Sequence, residues 1–234
     1  MENERRRNDA PAEKPIRAFI AIELPQELRE RLARLQRALQ QELQRELGQE
    51  LFRWTPPENL HLTLRFLGQT SPSQQETVTA GLRTIAQDRQ PLSLALQGLG
   101  IFPSPSRPRV IWVGLGGALA ELARLQEAVE QLAQEAGFQA ESRGFSPHVT
   151  IARAQRHASS AQLRAAGARL QPRLARPGEP LGRFTAREIA LIRSQLRRGG
   201  PVYTPLAHFP LGREAAAGPE SSQEGRAKET GEDR

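Results

Sequence analysis

Two tetrapeptides share one pattern: His61-Leu62-Thr63-Leu64 and His148-Val149-Thr150-Ile151. Alternation of polar and apolar residues belongs to a half-buried strand. Successive side chains on a strand point to opposite faces, so each histidine shares a face with the threonine two places on. The aliphatic pair then anchors the strand in a core. Histidine, with a free pKa near 6.5, both accepts and donates protons around neutrality. Two such strands meeting across a cleft would bring together an acid, a base and two hydroxyl donors suited to a phosphate.

One His-x-Thr alone carries little weight, because threonine favours strands for structural reasons. Two copies, each preceded by a turn-rich approach (PPEN at 56–59, GFSP at 144–147), carry more. Strict alternation puts Arg65 on the face of His61 and Thr63, where it would steer an anion. Arg153 lies five residues past His148, an odd spacing that points away from the histidine on a regular strand. It must act from the strand end or across a bend to reach a phosphate. Phe66, Tyr203, Trp54 and Phe145 are candidates for stacking on a nucleobase. His157 and His208 receive no role. The sequence has no HExxH, no cysteine and no clustered carboxylates, so it predicts no metal. No GxxxxGK occurs, and Gly114-Leu115-Gly116-Gly117 falls short of GxGxxG, so no nucleotide cofactor is expected.

The absence of cysteine removes disulfides and thiolate nucleophiles together. No apolar run is long enough to span a bilayer, and residues 1–14 have no apolar stretch to act as a signal peptide. The expected place is the cytoplasm, the expected state a monomer away from membranes. The net charge of +7 is concentrated: residues 153–198 hold 11 arginines against Glu179 and Glu188. Such a segment attracts a polyanion such as RNA. Lys14 and Lys228 are the only lysines among 33 basic residues, so a compositional preference for arginine accounts for part of the pattern.

Residues 1–14 and 213–234 are expected to be disordered tails around a single body, 15–212. Strands are predicted at 16–22, 60–67 (ended by Gly68), 92–96, 110–115, 149–152, 188–196 and 202–206. Helices are predicted at 25–47, from 71–73 to 87, 118–136 and 159–170, with a Pro/Arg loop over 171–182. Leucines at 28, 32, 35, 39 and 43 give the first helix one apolar stripe. RRGG at 197–200 signals a hairpin. Both halves run strand, long helix, motif strand, which predicts an α+β duplication of two pseudo-symmetric lobes built on antiparallel sheet.

At these residues the chain resembles the two-histidine phosphoesterase superfamily, and within it the RNA 2′,3′-cyclic phosphodiesterase family, also called 2′–5′ RNA ligase. The resemblance rests on RAFIAI at 17–22, NLHLTLRFLG at 59–68, PRVIWVG at 108–114, PHVTIAR at 147–153 and YTPL at 203–206. It implies a bilobed fold with outer helices and an active-site cleft between the lobes. It implies metal-free hydrolysis of a terminal 2′,3′-cyclic phosphate to a 2′-phosphomonoester, on RNA ends such as tRNA fragments. By the same analogy His61 is the proton donor and His148 the acceptor, while Thr63, Thr150 and Arg153 stabilise the phosphate oxygens. Run backwards, the site would join RNA ends through a 2′–5′ linkage. The alternatives are a non-catalytic RNA-end-binding protein, and a phosphodiesterase of small cyclic nucleotides or 2′–5′ oligonucleotides.

Overall fold

The computed structural model describes residues 14–174 and 180–212. Apart from Lys14, the expected tails lie outside the described residues. The first strand, β1 (Ile16–Glu23), leads into helix α1 (Gln26–Leu47). Helix α1 buries Leu28, Leu32, Leu39 and Leu43 along one stripe and ends at Gly48, whose φ of 70° closes its last turn. A short strand, β2 (Phe52–Trp54), and a 3-10 turn precede the first motif strand, β3 (His61–Thr70). Helix α2 (Pro72–Gln87) starts on a capping box in which Ser71 and Gln74 satisfy each other's backbone amides.

Strands β4 (Leu92–Phe102) and β5 (Val110–Gly117) follow as a pair, then helix α3 (Leu119–Glu135) and the second motif strand, β6 (His148–Ala154). Helix α4 (Ser160–Leu174), β7 (Gly182–Ala186) and the hairpin of β8 (Glu188–Arg197) and β9 (Gly200–Pro210) complete the chain. The expected loop at 171–182 is therefore helical through Leu174 and extended from Gly182. The expected end of the strand at Gly68 also differs: the chain continues to Thr70, with Leu67 bulged out of the ladder and Gly68 at a φ of 75°. Glycine takes that left-handed conformation at no steric cost, so here it turns the strand rather than stopping it.

All strand pairs are antiparallel, in the order β7-β4-β5-β6-β3-β1-β8-β9, with β2 also on β6. This is an α+β fold of two similar lobes, β3-β1-β8-β9 and β6-β5-β4-β7. They join where the motif strands touch, at the single pair Leu62–Val149. Beyond it β3 leaves β6, and β2 takes over the β6 edge at Ala152 to Ala154. Each half sends its first helix to the other lobe: α1 packs beside α4 and against β6, α3 beside α2 and against β3. The main core lies beneath the helices and includes Ile20, Leu62, Leu82, Ile111, Val113 and Val149, all fully buried. A smaller cluster of Phe19, Ala21, Ala190, Ile192 and Tyr203 lines the other face of the first lobe. The arginines of α4 do not form one basic field, because Arg169 pairs with Glu46 at 3.1 Å and Arg173 with Glu42 at 2.5 Å, both on α1. Among the described residues no helix is long and apolar enough to cross a membrane.

Candidate active site

The register of the Leu62–Val149 pair places His61 across from Thr150 and Thr63 across from His148. The two histidines thus occupy opposite corners of a square. In a regular pair such diagonal neighbours are about 7–8 Å apart, enough to hold a phosphate between two rings. All four residues are half-buried. Each ring is oriented by the carbonyl two residues before it: Nδ1 of His61 lies 2.7 Å from the Asn59 oxygen, Nδ1 of His148 2.7 Å from the Ser146 oxygen. A carbonyl only accepts, so each Nδ1 carries the proton and donates it, leaving Nε2 as the working nitrogen. The Asn59 side chain in turn donates to the Pro201 oxygen at 2.9 Å, tying the tip of the β8–β9 hairpin to the first motif.

Aromatic walls enclose both rings. Phe19 and Tyr203 flank His61 at centroid distances of 4.8 and 5.3 Å. Phe102 and Trp112 flank His148 at 5.1 and 6.0 Å. Trp112 fits because its cross-strand partner is glycine: a Cβ on Gly100 would stand 2.1 Å from the indole. Lost hydration pushes the His61 pKa down to about 4, opposed by the Asn59 carbonyl and assisted by the charges of Arg153 and His148. His148 is lowered too, first by burial and then by Arg153, against the pull of the Ser146 carbonyl. Both imidazoles therefore rest neutral at pH 7 within the field of one guanidinium.

Arg153 reaches this field because β6 is not regular. Ile111 pairs with Ala152 and Trp112 with Thr150, so Ile151 is an extra residue on β6. The bulge reverses the alternation and returns Arg153 to the face of His148 and Thr150. Gln36 on α1 secures it. This side chain is 5% exposed, and its amide donates at 2.8 Å to the oxygens of both Ile151 and Thr55.

The same irregularity in β3 corrects the expectation for Arg65. Ile20 pairs with Arg65 and Ala21 with Thr63, so Leu64 is the extra residue. The bulge turns Arg65 to the buried face, where it is 7% exposed. Its guanidinium pairs with Glu130 at 2.5 Å and Glu141 at 3.6 Å, and donates to the Phe66 and Gln139 oxygens. Arg65 still lines the groove beside Thr63 and Phe66, with its guanidinium committed to Glu130 and Glu141. Phe66 takes the vacated place, 53% exposed. Five residues past the histidine, then, one lobe presents a ring and the other a guanidinium.

Thr63, Phe66, Phe102, Phe145, His148 and Arg153 line a groove of about 500 Å³. Trp54 packs on the main core instead. His208 stands with Glu23 and Glu188, their ligand atoms within 4.8 Å of one another, a cluster that strands distant in sequence assemble. Sequence reasoning missed Phe19, Phe102, Trp112, Gln36 and Asn59. The FIAI run around Phe19 is apolar throughout, so it gives no sign of which ring faces the cleft.

A family model described as LigT-like phosphoesterase matches residues 22–112 and 115–203. Among curated relatives, the RNA 2′,3′-cyclic phosphodiesterase of Thermus thermophilus is 33% identical, over 90% of this chain and 100% of the relative. The protein of the same name from Aquifex aeolicus is 30% identical, over 85% of this chain and 99% of its own length. The solved structure of E. coli LigT complexed with phosphate superposes with a TM-score of 0.62 at 26% identity, over 86% of this chain and 99% of that one. With two motif strands, their paired histidines and this match over most of its length, the chain belongs to the LigT-like phosphoesterase family.

Proposed function

We propose that this phosphoesterase opens terminal 2′,3′-cyclic phosphates of RNA to 2′-phosphomonoesters by metal-free acid–base catalysis. The reading is carried by the diagonal pair of imidazoles, each with Nδ1 held by a backbone carbonyl. In it, His148 takes a proton from water as the oxygen attacks phosphorus. His61 delivers a proton to the departing 3′ oxygen. The water–phosphorus bond forms as the P–O3′ bond breaks, and one proton moves at each end. Thr63, Thr150 and Arg153 stabilise charge on the non-bridging oxygens, the electrostatic part of catalysis. Phe66 and Tyr203 border the terminal nucleoside. The curated relatives named for this activity and the phosphate complex of E. coli LigT support the substrate class.

The neutral resting state of His61 fits a donor that is charged by its substrate. An anionic cyclic phosphate at Nε2 favours the imidazolium and so supplies the acid when it is needed. The reverse reaction, attack by a 2′ hydroxyl of a second RNA end, would use the same groups with roles exchanged. We place the enzyme in the cytoplasm, as a monomer.

The test is an RNA ending in a 2′,3′-cyclic phosphate, incubated with and without EDTA, followed by mapping of the phosphate. A 2′-phosphate formed equally in both is the expected result. His61→Ala and His148→Ala should each lose roughly 100- to 10,000-fold in rate while remaining folded. Full activity in either variant, or activity abolished by EDTA, overturns the mechanism. Tight RNA binding with no product at any pH would leave an end-binding protein instead.

A further inference from the structure

The short strand β2 brings a second guanidinium into the cleft. Arg53 pairs directly with Arg153 across the β2–β6 ladder, and its neighbours Phe52 and Trp54 turn the other way, towards the core. Side chains directly opposite on one face stand about 5 Å apart at Cβ, and like charges so placed repel. Among the described residues neither arginine has an ion-pair partner, whereas Arg65, Arg169 and Arg173 all do. Arg17 lies on the same side of β1 as Phe19, whose ring packs on Tyr203, and is likewise unpaired among the described residues. All three guanidiniums are exposed, and among the described residues none is paired with a carboxylate, so each is free to meet an anion.

Arg53 and Arg153 serve different positions. Arg153 lines the groove with Thr63 and His148, whereas Arg53 stands across the β2–β6 ladder from it and outside that lining. Burial raises the pKa of Tyr203, and the charges of Arg153, Arg53 and Arg17 pull it back. Arg53 therefore extends the cation of Arg153 beyond the groove that Phe66, Phe102 and Phe145 line. A mononucleotide with one phosphate would leave it without a partner. An RNA end carries a second phosphate, the diester linking its last nucleotide to the one before.

Resting on the phosphodiesterase reading above, we propose that Arg53, with Arg17, forms a second anion subsite for the diester one nucleotide upstream of the cyclic phosphate. The subsite makes the enzyme prefer oligonucleotide ends to free nucleoside cyclic phosphates. Arginine suits it because its planar fork binds phosphate oxygens in pairs.

The test compares the wild-type chain, Arg53→Gln and Arg169→Gln on cytidine 2′,3′-cyclic phosphate and on a pentanucleotide ending in the same group. Arg53→Gln should lower kcat/KM for the pentanucleotide about tenfold more than for the mononucleotide, the scale of one lost charged hydrogen bond. On a log–log salt plot its pentanucleotide slope should be shallower by about 0.7, one released counterion on a single strand. Arg169→Gln, whose charge is matched on α1, should behave as wild type. Equal losses on both substrates, or an unchanged salt slope, overturn the subsite. Fluorescence anisotropy with a labelled pentanucleotide bearing a 3′-phosphate separates the two ideas. If the wild type turns over neither substrate but Arg53→Gln still binds the pentanucleotide about tenfold more weakly, the function falls and the subsite stands. If binding is unchanged, the subsite falls whatever the activity.

Discussion

His61 should make the protein acid-sensitive by a calculable amount. In the native state burial disfavours its charged form and brings its pKa to about 4, against 6.5 for a free ring. Above pH 6.5 the ring is neutral in both folded and unfolded chains and contributes nothing. As pH falls below 6.5 the unfolded chain gains a proton that the folded one refuses, so stability drops. The fall approaches 1.4 kcal/mol per pH unit and levels off once the native ring protonates near pH 4. Over the whole window the loss is about 3 kcal/mol. His61→Gln removes the titration but leaves every carboxylate in place, so the wild-type minus variant difference isolates this ring. Urea unfolding followed by the fluorescence of Trp54 and Trp112, at half-unit steps from pH 7.5 to 4, measures it. With a urea slope of about 2 kcal/mol/M, the wild-type midpoint should lose roughly 1.5 M more than the variant's. Two stability curves that run parallel across the window would refute the claim that His61 is buried in its neutral form.

Catalysis should carry the same signature. Both rings are lowered, so the free-enzyme bell in kcat/KM should centre on the acid side of pH 6.5, and the kcat profile should lie higher because the bound phosphate favours the imidazolium. Coincident profiles centred above 7 would contradict it. Gln36→Leu removes both amide bonds to the β6 bulge and should cost about 1–3 kcal/mol in urea unfolding. Its activity should fall further than the folded fraction explains, because Arg153 loses its register. Gly100→Ala drives a methyl into the indole of Trp112 and should cost about 1–3 kcal/mol in thermal unfolding, with a drop in kcat as the wall beside His148 shifts. Phe66→Ala should raise KM about tenfold and leave kcat nearly intact, since stacking on a base contributes about 1–3 kcal/mol. A kcat effect without a KM effect would place Phe66 elsewhere.

The motif strands were legible because alternation is a periodic signal, and His61-x-Thr63 and His148-x-Thr150 both keep it. The long helices were legible for the same reason, at a different period. The bulges were not, although the second copy carries a trace of one. Ile151 and Ala152 are adjacent apolar residues in a strand that otherwise alternates, which is how a reversal of faces reads in sequence. In the first copy the matching pair is Leu64-Arg65, and an arginine in the second place hides the reversal. Alternation alone therefore sets Arg65 on the face of His61 and Arg153 off the face of His148, whereas one backbone feature repeated in each lobe reverses both. Strand β2 escaped notice because its three residues are too few to show any period, and Arg53 escaped with it.

The duplication also bears on how one site would serve the two proton-transfer roles of the proposed mechanism. Both lobes build the same frame: a carbonyl two residues before the histidine, a bulge three residues after it, and a side chain returned to the cleft at the fifth. A frame repeated without change would give two equivalent imidazoles and no preference for which gives and which takes. The chain breaks the equivalence at the fifth residue, Phe66 in one lobe and Arg153 in the other, and in the walls around each ring. His61 is the more deeply buried of the two, its pKa pushed down to about 4, and Asn59 ties its approach to the hairpin. Exchanging the fifth residues, Phe66→Arg with Arg153→Phe, should therefore leave both rings in position but move the cation to the other lobe. If the roles follow the frame alone, the pH profile will not change. If they follow the cation, the free-enzyme bell will shift and the preference between water and a 2′ hydroxyl as attacking group will shift with it.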